Sequence, residues 1–280
     1  MDKLLSSYKK PLVIAHRGFR AVAPENTLSA ARRGFEAGAD WWELDVAESS
    51  DGVLVVLHDD SLLRTTNAQT VYPGRFPWTV YEFTFDEIRV LDAGSWFVQS
   101  DPFGQIAAGK VGSDELSFFK GIKVPTLQEC LEITREYHKK VNIEIKSATG
   151  FACDTDIVEK TVALIQSMEM QDSVLVSCFN HDYLMRVKKA DPRIATAALT
   201  ENPLPEPVVK LGELAAVALH PDLRTLDEAT VQAVKNAGFA VNAWTVNTET
   251  DMKRLLSWGV SGLITDFVDK AREIVDLTVF

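Results

Sequence analysis

Trp41-Trp42-Glu43-Leu44-Asp45-Val46, followed closely by Ser49-Ser50-Asp51-Gly52 and Val53-Leu54-Val55-Val56-Leu57-His58, is the stretch on which the reading of this chain turns. In an extended strand alternate side chains share a face, so Glu43 and Asp45 point one way while Trp42, Leu44 and Val46 point the other. Two carboxylates on one side of an apolar strand repel each other and are costly to bury unless a cation or a donor neutralises them. The pair is therefore a candidate metal site. The next apolar run follows too soon for a parallel crossover, and Asp-Gly is a hairpin signal. If Asp51-Gly52 is the whole loop, Ser50 faces Val53 and, counting outward, Asp45 faces His58, with Cβ atoms about 4.5–5.5 Å apart.

Upstream, Pro11-Leu12-Val13-Ile14-Ala15 reads as a buried strand that ends at His16-Arg17-Gly18. Pro24-Glu25-Asn26-Thr27 then opens a helix through about Ala37, with Asn26 or Thr27 as the cap and Gly38 as the stop. A strand, a crossover helix and a parallel strand at 39–47 make the unit from which α/β folds are built.

Downstream the periodicity is lost over the segment 60–121, which carries Pro73, Pro77 and Pro102 and a crowd of aromatics including Phe76, Trp78, Tyr81, Phe83, Trp96, Phe97 and Phe119. So long an irregular stretch reads as an insertion. Its aromatics suggest a lid folded onto a barrel mouth or, the plainer reading, the insertion's own small core. Regular alternation then returns. Thr126 and Glu129 have capping-box spacing at the head of a helix, and Val141–Lys146 is a strand with Asn142, Glu144 and Lys146 on one face. Further strands are expected at about 174–178, 193–199, 215–219, 239–246 and 262–265. With the 53–58 arm set aside as a hairpin return, eight β/α repeats predict an α/β fold of the TIM-type (β/α)8 barrel class. We expect one catalytic barrel domain over residues 1–280 that includes the insertion. Sites in such barrels lie at the C-terminal ends of the strands, where His16, Glu43, Asp45, Glu144 and Lys146 all fall.

A net charge of −11 argues against a nucleic-acid surface or an anionic membrane, either of which calls for clustered Lys and Arg. Any anionic substrate must meet a local positive site. Cys130, Cys153 and Cys178 are too few and scattered for a disulfide framework or a zinc cluster, and read as core thiols in a reducing compartment. Met1–Lys10 has no apolar leader, and no stretch reaches the roughly 20 apolar residues of a membrane span. The expectation is a cytoplasmic protein.

Three acids from two strands with no thiol ligand form an all-oxygen set suited to one hard divalent cation, Mg²⁺ or Ca²⁺. His16 and His58 flank it as candidates to share proton transfer, one activating a nucleophile and one protonating a leaving alkoxide. Arg17 offers a planar fork and Lys146 a point charge for phosphate oxygens, and Trp244 near a strand end could line a carbon skeleton. His220, before Pro221, reads as structural, and His138 and His181 receive no role. The reaction class this points to is cleavage of a small-molecule phosphodiester.

His16-Arg17-Gly18, Pro24-Glu25-Asn26-Thr27, Glu43-Leu44-Asp45-Val46, Leu57-His58-Asp59, Arg64-Thr65-Thr66, Asp92-Ala93-Gly94-Ser95-Trp96, Val124-Pro125-Thr126-Leu127, Glu144-Ile145-Lys146, Asn242–Asn247 and Gly262–Asp266 occur in this order across nearly the whole chain. In this series the chain resembles the glycerophosphodiester phosphodiesterases. The resemblance implies a TIM barrel with an insertion after the second histidine, His16 and His58 as the acid/base pair, and Glu43, Asp45 and Glu144 as metal ligands. It further implies Arg17 and Lys146 as phosphate contacts, Trp244 as a wall against glycerol, and hydrolysis to glycerol 3-phosphate and an alcohol. An alternative keeps the site but gives it a lysophospholipid substrate or a cyclic phosphate product.

Overall fold

The computed structural model describes residues 9–278. The reading of Met1–Lys10 as leaderless falls, for residues 1–8, outside the described residues. Nine strands form one sheet: β1 (Leu12–Ala15), β2 (Trp41–Glu48), β3 (Leu54–Val56), β4 (Lys140–Ile145), β5 (Val174–Cys178), β6 (Ala195–Thr200), β7 (Ala218–Pro221), β8 (Ala240–Ala243) and β9 (Gly262–Thr265). Eight of them run parallel in the order β1-β9-β8-β7-β6-β5-β4-β2, and β1 pairs with β2 to close the barrel. The fold is the expected TIM-type barrel, with helices outside. Among the described residues no helix is long and apolar enough to cross a membrane.

The period-two reading of β2 holds. Trp41 packs inside the barrel with Leu12, Ile14 and the alanines 195, 197, 218 and 240. Small residues on the facing strands leave the volume a tryptophan fills. Trp42, Leu44 and Val46 face outward into the layer between sheet and helices, where the Trp42 indole donates to Thr134 Oγ1 at 2.8 Å. The helix Leu28–Glu36 starts on Thr27, whose hydroxyl accepts from the Ala30 N–H, and passes at its end into Gly38 at φ +91°. Thr126 and Glu129 make the expected capping box at the head of the helix Leu127–Glu136. The three cysteines are buried free thiols.

One geometric expectation is corrected. The hairpin loop has three residues, not two: Ser49 N–H donates to the Val53 carbonyl, and Gly52 takes φ +86°. A type I turn closed by a left-handed glycine adds one residue to the loop and so shifts the register by one. Val46 therefore pairs with Val56, and Leu57 rather than His58 stands across from Asp45, donating its N–H to the Asp45 carbonyl at 3.0 Å. Because β1 stops at Ala15 and meets β2 only at Trp41 and Trp42, the upper edge of β2 is left open for this arm.

The insertion packs mainly against the hairpin. Trp78, Val80, Tyr81, Phe83, Ile88 and Leu91 are buried in one cluster with Ala47, Val55 and Leu57, while Phe97 and Phe119 join the layer beneath the outer helices. Phe76 and Phe118 remain exposed. Part of the insertion's aromatic set thus forms a core shared with the hairpin, and the aromatic walls of the cavity described below come from elsewhere.

Candidate active site

His16 follows the last residue of β1, and the chain then turns sharply through Arg17 at φ +54° and Gly18 at φ +79°. A Cβ on Gly18 would lie 2.5 Å from the Ala30 carbonyl carbon, so only glycine lets this turn sit against the helix. The turn sends the Arg17 N–H onto Glu43 Oε2 at 2.8 Å and brings its guanidinium Nε to 3.3 Å from Asp45 Oδ2. On the other side of β2, Asp45 is in register with Glu144 of β4. Parallel pairing thus places two acids about a hundred residues apart in sequence on one rung of neighbouring strands, facing the same way. Carboxylate oxygens of Glu43, Asp45 and Glu144 all lie within 4.8 Å of one another.

Around these acids stands a shell of donors. Lys146 Nζ is 2.7 Å from Glu144 Oε1 and 3.6 Å from Asp45 Oδ1, and Asn26 Nδ2 donates to Asp45 Oδ2 at 2.8 Å. Burial alone would push the Asp45 carboxyl up, but Arg17, Lys146, His58 and the Asn26 hydrogen bond outweigh it and hold Asp45 ionised, well below the usual range. Glu43 goes the other way: burial and then the charges of Asp45 and Glu144 raise it well above a normal glutamate. Glu144 is raised as well, by burial and by Asp45 against the pull of Lys146. Three acids this close favour full ionisation only with more positive charge between them.

The two histidines are held alike. His16 Nδ1 lies 2.7 Å from Asp266 Oδ1, and Asp266 in turn accepts from Asn247 Nδ2 at 2.7 Å. His58 Nδ1 lies 2.6 Å from Asp59 Oδ1. A carboxylate on Nδ1 sets the tautomer and leaves Nε2 as the working nitrogen. Burial, then the neighbouring Arg17, lowers the His16 pKa against the opposing pull of Asp266. His58 lines the same cavity despite the shifted register: β3 ends at Val56, Leu57 makes one more bond to β2, and the chain bends from His58 onward.

A cavity of about 270 Å³ opens over this group. His16, Arg17, Glu43, His58, Glu144, Lys146 and Trp244 all line it, so seven of the eight residues singled out by the sequence converge there, and Asp45 lies just beneath, 1 % exposed. Phe179, edge-to-face with Trp244 at 5.7 Å, adds a second aromatic wall, and Glu201 a carboxylate. A larger hollow of about 400 Å³ lined by Arg32, Arg89, Lys120 and Lys123 lies elsewhere. Convergence of perturbed acids, histidines and cations, rather than volume, marks the smaller cavity as the candidate site. His220 lies outside that cavity's lining: it is fully buried in β7, with Nε2 2.9 Å from Asn242 Nδ2.

The sequence reading missed Asp266, Asp59 and Asn26 as partners of the predicted residues. Asp266 follows the last strand directly, so the rule that sites gather at strand ends could have found it. Asp59 is adjacent to His58, but adjacency alone does not set which way a carboxylate turns.

A sequence profile of the glycerophosphoryl diester phosphodiesterase family matches residues 16–270. The chain belongs to that family. A glycerophosphodiester phosphodiesterase of Caldanaerobacter subterraneus subsp. tengcongensis is 37% identical over 92% of this chain and 94% of its own length. Another, from Bacillus subtilis, is 31% identical over 95% of this chain and 86% of its own. Among solved structures, an Oleispira antarctica phosphodiesterase in complex with the product sn-glycerol-3-phosphate superposes with a TM-score of 0.81 at 30% identity, covering 97% of this chain and 99% of that one. A glycerophosphodiester phosphodiesterase from Agrobacterium tumefaciens gives 0.72 at 26% identity, covering 94% and 99%. The protein is an enzyme of the glycerophosphodiester phosphodiesterase type.

Proposed function

We propose that this family member hydrolyses glycerophosphodiesters to glycerol 3-phosphate and an alcohol, with His16 and His58 as the acid/base pair and Glu43, Asp45 and Glu144 holding one divalent cation, Mg²⁺ or Ca²⁺. The observation that carries this reading is the pair of imidazoles, each fixed through Nδ1 by its own carboxylate, lining one cavity with the acid cluster.

The residues fit a hard cation. The set is all oxygen, and Asp45 Oδ1 is buried without a hydrogen-bond partner, an expensive state for a carboxylate oxygen unless it is a ligand. Bound there, the cation would supply positive charge to the phosphoryl oxygens. The remaining work belongs to the chain's own groups. One imidazole Nε2 takes the proton from the attacking water as its oxygen bonds to phosphorus. The other gives its proton to the ester oxygen as the P–O bond to the alcohol breaks, so one proton enters the pair and one leaves. Arg17 and Lys146, already charged and facing the cavity, meet the phosphoryl oxygens, and Trp244 with Phe179 forms an apolar wall for the glycerol carbons. These fixed donors are oriented before substrate arrives, which is where electrostatic catalysis gains most.

The test is incubation with glycerophosphocholine, with and without EDTA, followed by phosphorus NMR. Metal-dependent appearance of glycerol 3-phosphate is expected. No turnover under any divalent metal, or a cyclic ester as the product, would overturn the reading.

A further inference from the structure

Two motifs of the sequence, Pro24-Glu25-Asn26-Thr27 and Arg64-Thr65-Thr66, lie next to the cavity without lining it, and among their residues Asn26 bonds Asp45. Glu25 is 4 % exposed and gathers three guanidinium groups: Arg17 Nη1 at 2.9 Å and Arg64 Nη2 at 2.7 Å on Oε1, and Arg20 Nη2 at 2.9 Å from Oε2. Burial would raise this carboxyl, yet the Arg64 hydrogen bond and the charges of Arg17, Arg20 and Arg64 bring it down to about 2, so Glu25 stays ionised.

From this hub two arms lead outward. Arg64 clamps Asp59 with Nε at 2.6 Å and Nη2 at 3.0 Å, and Asp59 holds His58. Arg20 Nε stands 3.8 Å from Asp266 Oδ1, the same oxygen that holds His16, and its guanidinium lies 5.2 Å over the ring of Phe103. Arg64 and Phe103 both come from the insertion, so this segment touches each arm. On the Asp59 arm the two-point clamp fixes the plane of the carboxylate and so the imidazole, whereas on the Asp266 arm Arg20 acts through its charge at 3.8 Å.

We infer that Glu25 is a positioning residue shared by both histidines, acting on His58 through Arg64 and Asp59 and on His16 through Arg20 and Asp266. The inference rests on the reading of the histidines as the acid/base pair, and it predicts that each arm behaves like its own histidine.

The test compares two diesters in the metal-loaded enzyme: glycerophosphocholine, whose alkoxide must be protonated to leave, and bis(p-nitrophenyl) phosphate, whose phenolate leaves without a proton. Loss of the general acid therefore costs much less on the aryl ester. R64Q should follow H58A in how its loss depends on the leaving group, R20Q should follow H16A, and E25Q should lower turnover on both esters. Each loss is expected in kcat, on the order of 10- to 100-fold, with little change in KM, as for a catalytic group misplaced by a fraction of an ångström. Arg64 is 40 % exposed, so R64Q should fold even if the buried E25Q does not. If H58A and H16A are impaired while R64Q and R20Q turn over like the wild type, or lose rate without following their histidines, only this inference falls. If the histidine variants are themselves wild-type-like, the acid/base reading falls with it.

Discussion

Asn26 and Asp45 are joined twice: Asn26 Nδ2 donates to Asp45 Oδ2 at 2.8 Å, and the Asp45 N–H donates to Asn26 Oδ1 at 3.2 Å. Asn26 sits at φ +56°, a conformation asparagine tolerates and β-branched residues do not. It orients the central acid of the cluster and leaves the other carboxylate oxygen without a hydrogen bond, 3.6 Å from Lys146 Nζ. Asn26→Gly keeps the backbone and removes both bonds. We expect it to weaken activation by Mg²⁺ or Ca²⁺ about 10- to 100-fold, the usual effect of losing a partner to a metal ligand, as measured by metal titration of turnover.

His16→Ala and His58→Ala should each lower kcat at least about 100-fold, the scale of a general acid or base. Steady-state kinetics at saturating metal check this. A loss seen only in KM would assign the imidazoles to binding.

Cation binding at the acid cluster would depend on pH with a definite sign. Burial and mutual repulsion raise Glu43 and Glu144, so protons compete for these oxygens in the folded state, and their charge repulsion destabilises the fold as pH rises through the raised values. A bound cation relieves that repulsion. The increase in Tm on adding Ca²⁺ should therefore be larger at pH 8 than at pH 5, and Glu144→Gln should reduce it sharply. Differential scanning calorimetry at the two pH values is the check, and a shift that shrinks with rising pH would contradict it.

His220 gives the opposite slope. Burial lowers its pKa from 6.5 to about 3. Below pH 6.5 the unfolded chain takes up a proton that folded His220 refuses, so stability is lost as pH falls from 6.5 towards 3. This one group contributes up to about 1.4 kcal/mol per pH unit over that window. Urea unfolding at a series of pH values should show a shallower acid loss for His220→Gln than for the wild type.

Gly18→Ala forces a Cβ to 2.5 Å from the Ala30 carbonyl carbon at φ +79°. Steric overlap and backbone strain together should destabilise the fold by about 3 kcal/mol and displace His16 and Arg17. A matched fall in Tm and kcat is expected, whereas Gly104→Ala, at φ +66° with no atom within 4 Å of the added methyl, should pay only the strain and leave kcat intact.

Much of the site was legible because its logic is local. Alternation along β2 set Glu43 and Asp45 on one face, and the same rule put Glu144 and Lys146 together on β4. Repetition of strand and helix predicted the barrel, and the barrel predicted that strand ends would converge. The hairpin register differs from the expected one because Asp51 does not take the positive φ that a two-residue Asp-Gly loop requires, so that Gly52 alone is left-handed and the loop takes a third residue, a backbone choice that Asp-Gly permits but does not dictate.

What the chain alone determined is therefore the set of chemical groups and the face or strand end each occupies, since both follow from side-chain identity and a period of two. What only the tertiary structure decided is which groups meet across long separations: Asp266 lies 250 residues from His16, and Arg64 lies 39 residues from Glu25. Those meetings depend on the pairing of β1 with β9 and on how the insertion docks. Many weak contacts and loop conformations select them jointly, and no local pattern of residues records the result.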